Sequence, residues 1–255
     1  MVLLTTRYYL KRAFTNPLQV ALMTLLPAVI VFINVAMNIN IIAYEGGYFM
    51  FEGYDIMATV ITMFVMLMFQ AMSGVYAGEF VFQDFKEANR WRLRAAPVSS
   101  GVFVTGAVVA STIFSFVTAL IILGISFIAY DIYLGNLAVI LATVFFLALW
   151  AQFVGIIIAM FVKKKGAIDG ITIALSFAMS IMAGGFMFNV PMPQFARDFI
   201  IPTGVAIRAV TSTNILQREI GDTGMAESLT SIAILAGMAI VFGVAAFALA
   251  RRRAS

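Results

Sequence analysis

The chain has 255 residues, 63% of them hydrophobic and 11% charged, with a net charge of +4 and a mean hydropathy of +1.03. A soluble domain is nearer half apolar and a quarter charged. There is too little charge here to cover a water-facing surface, so lipid must replace water over much of it. Cysteine and histidine are both absent, which excludes disulfides, thiol nucleophiles and thiolate metal sites and removes the usual general base, imidazole ligand and near-neutral pH switch.

In chain order, residues 1–18 come first. Leu3, Leu4, Tyr8, Leu10 and Phe14 mixed with Arg7, Lys11 and Arg12 predict an amphipathic helix lying on the inner leaflet with its bases at the headgroups. The Asn16-Pro17 pair is expected to break it. These bases precede a full-length span without a small-residue cleavage site, so no cleaved signal peptide is expected. Six apolar runs follow, at 20–40, 56–78, 102–129, 136–162, 168–189 and 228–250, each near the ~20 residues that a span needs. They predict an all-α polytopic membrane protein, a single transmembrane domain over residues 1–255. The third and fourth runs are joined only by the Tyr130–Gly135 turn.

Thirteen of the 16 basic residues fall on one set of connections: Arg7, Lys11 and Arg12; Lys86, Arg90, Arg92 and Arg94; Lys163–Lys165; Arg251–Arg253. The other set holds only Arg197, Arg208 and Arg218, beside Asp198, Glu219 and Asp222. The positive-inside rule puts both termini in the cytoplasm. This clustering between apolar runs explains the pI near 9.5 without nucleic acid.

The connection at residues 79–100 sets Phe80, Phe82, Phe85, Ala88, Trp91 and Leu93 against Asp84, Lys86, Glu87, Arg90, Arg92 and Arg94. By spacing alone such a segment can be a plain basic surface helix, rest on headgroups, or fit the groove of a cytosolic partner. Residues 190–224 are too long for a turn and too apolar for a solvated loop. Pro191, Pro193 and Pro202 divide them, and Phe195, Phe199, Ile200, Ile201, Val205, Ile207 and Val210 give an apolar side. Short helices dipping into the outer leaflet are expected, with irregular backbone only where protein or a wet cavity satisfies it.

No ionisable residue falls deep in the six runs, as an ion-driven carrier would require; Asp55, Asp169 and Glu227 stand at helix starts, where acids are favourable. Asn34, Asn38, Asn40, Gln70, Ser73, Gln152, Ser176 and Ser180 are the interior polar groups. They read either as interhelical hydrogen bonds or, for Gln70, Ser73, Ser176 and Ser180, as the lining of a translocation path. Met63, Met66, Met68, Met72, Met179, Met182 and Met187 concentrate on the second and fifth runs. Methionine adapts to varied apolar contacts, so if those runs line a path, with Met66 and Met187 on it, a lipophilic or amphipathic substrate fits; the alternative is core or lipid-facing filler. Gly74/Gly78, Ala107/Ser111/Ser115 and Ala233/Gly237 mark close helix packing.

Glu79, the basic run Lys86–Arg94 and Ala95-Ala96-Pro97-Val98-Ser99, together with Thr6-Arg7-Tyr8…Asn16-Pro17 and Phe188-Asn189-Val190-Pro191-Met192-Pro193…Pro202, make the chain resemble the membrane subunit of an ABC-2 type (type V) ABC exporter. The family often has Gly-Thr where Ala88-Asn89 stand. The resemblance implies an N-terminal connecting helix, a cytosolic coupling helix and re-entrant outer helices. It implies a separate cytosolic ATPase subunit holding ATP and magnesium, docked through Glu79, Phe82, Phe85, Lys86, Arg90, Trp91 and Arg94, and a second permease copy or paralogue facing this one across the path. No cofactor is expected on this chain. None of the five lysines is followed by Ser or Thr, so a Walker A loop is excluded. The expected role is export of a drug, antibiotic or peptide across a prokaryotic cell membrane. The alternatives are a non-transporting scaffold or sensor using the same helix for docking, and a membrane enzyme, which the lack of an acid pair, histidine or nucleophile elbow disfavours.

Overall fold

The structure, a computed structural model, describes residues 1–45, 50–51, 54–86, 99–184, 191–213 and 224–254. It is an all-α polytopic membrane protein, with six helices among the described residues long and apolar enough to span a bilayer. Helix α1 (Val2–Thr15) ends at Asn16, whose extended backbone turns the chain into α2 (Pro17–Glu45), the first span. A two-residue antiparallel pair, β1 (Met50–Phe51) and β2 (Tyr54–Asp55), leads to α3 (Ile56–Met72) and α4 (Gly74–Lys86). Then come α5 (Ser100–Tyr130), α6 (Leu137–Phe161), α7 (Lys165–Met182), the short α8 (Gln194–Phe199) and α9 (Pro202–Thr211), and α10 (Met225–Ala254).

The spans fall where the apolar runs predict, with two differences: the fifth, expected over 168–189, is helical over Lys165–Met182, with Gly184 at positive φ beyond it, and the second runs on further than expected. The second does not end at residue 78. It bends at Ser73 and continues as α4 to Lys86, so the first eight residues of the expected cytosolic segment belong to the span. The bend is hydrogen-bonded: Ser73 N donates to Phe69 O at 3.0 Å and Tyr76 N to Ser73 O at 3.1 Å. The α5–α6 reversal uses Asp131 and Gly135 at positive φ, and Asn136 caps α6 by accepting from Ala138 N and Val139 N at 3.1 and 3.3 Å, as short polar side chains do at helix starts.

Packing is centred on this second span. Its window is 83% buried, against 17% and 22% for those of the first and last, so α3 and α4 form the core while α2 and α10 present most of their surface to lipid. Met66, Leu67, Ile122, Leu147 and Leu235 meet in one cluster; Tyr9, Tyr76, Phe80, Phe114 and Ile156 meet in another, nearer Lys86.

The α4–α6 contact depends on glycine. A Cβ on Gly155 would stand 1.8 Å from Gly74 O, and one on Gly74 2.1 Å from Ala151 O. Without hydrophobic drive between helices in lipid, such close backbone approach supplies the contact energy. The Gly74/Gly78 spacing noted in the sequence is therefore a packing seam.

Helix α1 lies along α5, burying Thr6, Tyr9 and Ala13 and leaving Leu3, Leu4, Tyr8 and Phe14 exposed. The apolar side chains of α1 thus divide between an exposed face and an inward stripe that belongs to the protein.

Candidate functional site

The chemistry-bearing groups gather at three levels, beginning at the end of the bundle where α4 and α6 finish and α7 begins. Lys86, the last residue of α4, donates from Nζ to the carbonyls of Ala159 and Met160, both at 2.9 Å, and of Val162 at 2.6 Å. An α-helix leaves its last four carbonyls unpaired and its C-terminus partly negative; one ammonium answers both needs of α6. It also stands 5.4 Å from the Phe82 ring centroid. Glu79 accepts from Lys165 Nζ at 2.9 Å, tying α4 to the first turn of α7.

On the opposite side of α4, Asp84 is buried and accepts a hydrogen bond from Tyr9 Oη. Arg12 Nη1 lies 3.9 Å from Asp84 Oδ1, and its guanidinium sits 5.0 Å over Phe80. Tyr9 stacks on the same ring at 5.2 Å. Burial, and then the Asp84 carboxylate, push the Tyr9 hydroxyl well above the ordinary tyrosine range, so it stays a donor. Three elements, α1, α6 and α7, are thereby fixed to the last turns of α4.

This changes the reading of several predicted docking residues. Phe82 is buried against Ala159 and Ile168, so its side chain packs within the chain and does not face a partner. Lys86 is a helix cap and Glu79 an internal ion-pair partner. They fasten the end of α4 to α6 and α7. Phe85 is half-buried. Arg90, Trp91 and Arg94 lie outside the described residues.

At the middle level the interior polar groups find one another. Gln70 Nε2 donates to Ser115 O at 3.1 Å, and Ser115 Oγ returns a bond to Gln70 Oε1. Gln152 Nε2 donates to Ser73 Oγ at 2.9 Å, Ser73 Oγ to Gln70 O at 2.6 Å, and Ser176 Oγ to Ala71 O at 2.9 Å. Ser180 Oγ bonds back to Ser176 O. Gln70, Ser73, Ser176, Ser180 and Met66 are all buried. Their polar atoms join α3 to α5, α6 and α7, the interhelical use; Met187 lies outside the described residues.

At the far level, α8 and α9 fold back over the end of α7. Thr203 Oγ1 donates to Met179 O at 2.9 Å, and Gly204 approaches so closely that a Cβ there would stand 2.0 Å from Arg197 O. Ile201, Val205 and Val210 turn inward, while Phe195 and Ile200, expected on the same apolar side, face out. Ser228 Oγ bonds Ala209 O at 2.7 Å and fixes α9 to α10.

Residues 31–248 match the ABC-2 family transporter protein model. The chain belongs to this family. No curated protein matches it, and no solved structure does. The match runs from within the first span to within the last and takes in α3 to α9, while α1, with Tyr9 and Arg12, lies before it. As an ABC-2 permease, the chain is a multi-pass membrane subunit of an ABC transporter, and the family associates with an ABC ATPase.

The charged end of the second span escapes sequence reasoning. Hydropathy stops a span at its first cluster of charges, yet Glu79, Asp84 and Lys86 stay inside because each has a partner on another helix. The partners lie 72 and 75 residues away for Asp84 and 73 to 76 away for Lys86, so spacing alone carries no signal for them. The one available hint was that Phe80, Val81 and Phe82 continue the apolar run past Gly78.

Proposed function

We propose that this permease is the transmembrane half of an ATP-driven exporter in a prokaryotic cell membrane, with both termini cytoplasmic and ATP and magnesium held on a separate subunit. One transmembrane domain spans the chain. The segment that leaves the end of α4, from Phe85 to Ser100, forms the contact with the ATPase through Phe85, Arg90, Trp91 and Arg94, and two permease copies or paralogues face each other across the path. The cargo is lipophilic or amphipathic, a drug, antibiotic or peptide, and Gln70, Ser73, Met66, Ser176, Ser180 and Met187 reach it when α3 and α7 separate.

The observation that carries this reading is the way the end of α4 is tied to α1, α6 and α7. A push on residues 87–98 is delivered through Lys86 to the end of α6 and through Glu79 to the start of α7, and the central helix α3–α4 carries it to the core. A surface helix resting on lipid has no need of so rigid a root.

The test is co-purification with the ATPase. The wild-type permease retains it, and the double variant Phe85→Asp, Trp91→Asp loses it while still inserting as a folded protein. Retention by the double variant would remove the docking assignment.

A further inference from the structure

Beneath α8 and α9, at the end of the bundle remote from Lys86, lies a cavity of about 720 Å³. Its lining combines the apolar Phe64 of α3 and Phe195 and Phe199 of α8 with the charged Arg197 and Asp198 of α8, Arg208 of α9 and Glu227 of α10. Phe195 and Phe199 stack with centroids 5.3 Å apart, and Phe195 is 66% exposed.

Arg208 is the unusual member. Its guanidinium lies 4.5 Å over the Phe199 ring, which holds its plane at the cavity wall. The nearest carboxylate oxygen, on Glu227, is 3.8 Å from Nη2, too far for a hydrogen bond. Its Nη1 is buried and has no hydrogen-bond partner among the described residues. Arg197 differs: its Nε is bonded to Asp198 at 3.1 Å. A buried donor without an acceptor is unfavourable, more so on a charged group, and a planar guanidinium is shaped for two parallel bonds to an oxyanion.

Glu227 is a weak competitor for that place. Its side chain is half exposed, it also accepts from Ser212 Oγ at 3.2 Å, and it stands in the first turn of α10, where an acid is favourable on its own account. An incoming oxyanion can take Arg208 and leave Glu227 with Ser212 and water.

We propose that this cavity is a binding site for an amphiphile with an oxyanion head, a phosphate or carboxylate, the head on Arg208 and the tail along Phe64, Phe195 and Phe199. The proposal rests on the permease reading and narrows its cargo class. The same chemistry is offered by a membrane phospholipid and by a transported solute.

The experiment uses the permease–ATPase complex in phosphatidylcholine nanodiscs and dodecyl phosphate bearing a terminal diazirine. Photolabel is expected on the peptide spanning residues 194–208, displaced by unlabelled dodecyl phosphate and not by dodecyltrimethylammonium. Arg208→Gln lowers labelling about tenfold, as loss of charge-assisted bonds should. Arg197→Gln leaves it within about twofold, and Glu227→Gln raises it about threefold by removing a competing charge.

Equal labelling of wild type and Arg208→Gln, or equal displacement by the cationic amphiphile, overturns the site. If Arg208→Gln does not assemble, Glu227→Gln decides: raised labelling supports the proposal and unchanged labelling overturns it. Repeating the labelling in phosphatidylglycerol nanodiscs separates the sources, since abolished labelling assigns the site to lipid headgroups and persistent labelling to a free amphiphile. ATP hydrolysis by the same complex is followed in parallel. Its absence from wild type counts against the permease reading, whatever the label shows.

Discussion

Two arginines sit over phenylalanine rings at opposite ends of the helices, Arg12 on Phe80 at 5.0 Å and Arg208 on Phe199 at 4.5 Å. Each keeps a carboxylate just beyond hydrogen-bond reach, Asp84 at 3.9 Å and Glu227 at 3.8 Å, and each has a buried Nη1 without a bond among the described residues. Their surroundings differ. Asp84 is buried and held by Tyr9, and the glycine seam of α4 and α6 lies on the same helix. Glu227 is half exposed and opens onto a cavity. The same pair of residue types is thus a structural clamp at one end and an exchangeable contact at the other. What separates the two is the burial of the acid.

The comparison gives a graded set of substitutions. The largest effect is expected at the seam: Gly155→Leu drives a side chain into the Gly74 backbone, which no rotamer relieves, and destabilises the permease by about 3 kcal/mol or more. Thermal unfolding of the purified protein checks this, and an unchanged melting temperature would contradict the close crossing.

Next is Asp84→Ala, which leaves Tyr9 buried without its acceptor and Arg12 without its counter-charge and costs about 3 kcal/mol. Limited proteolysis should then cut within residues 2–15, because α1 loses its hold on α4. Resistance equal to wild type would mean that α5 alone retains α1.

Lys86→Met keeps most of the side-chain volume and removes the bonds to three carbonyls, for about 1.5 kcal/mol. Hydrogen exchange at the end of α6, residues 157–162, is the readout, and faster exchange confined there is the expected pattern. Protection like that of wild type would separate Lys86 from α6.

The smallest change is Glu227→Gln, below about 0.5 kcal/mol, because that acid is solvated and its pair is loose. A melting shift as large as that of Asp84→Ala would erase the contrast between the two ends.

Much of this architecture was legible from hydrophobic run length, since a bilayer demands long apolar helices whatever they pack against. The outer segment was legible too, because Pro191, Pro193 and Pro202 leave room only for short helices, and α8 and α9 lie between and after them. The extension of the second span to Lys86 was not. Reading along one chain treats a charge as an exit from the membrane, whereas the cost of a buried charge depends on partners contributed by other helices.

The interior polar residues show the same limit. Gln70 and Ser115 are 45 positions apart and Ser73 and Gln152 are 79 apart, and only the folded helices decide whether such groups bond one another or line a path. Arg208 was read as one basic residue of an outer loop with mixed charge. Its place over Phe199 follows from the α8–α9 fold, which Gly204 permits.

The account turns on which end of the bundle meets the cytosol. Because the chain has no cysteine, single cysteines can be placed at two exposed positions, Lys164→Cys at the α6–α7 connection and Phe195→Cys on α8, and treated with a membrane-impermeant maleimide in intact cells. The expected result is labelling at position 195 in intact cells and at position 164 only after the membrane is broken; labelling at 164 in intact cells would place the Lys86 end outside, beyond the reach of any cytosolic ATPase.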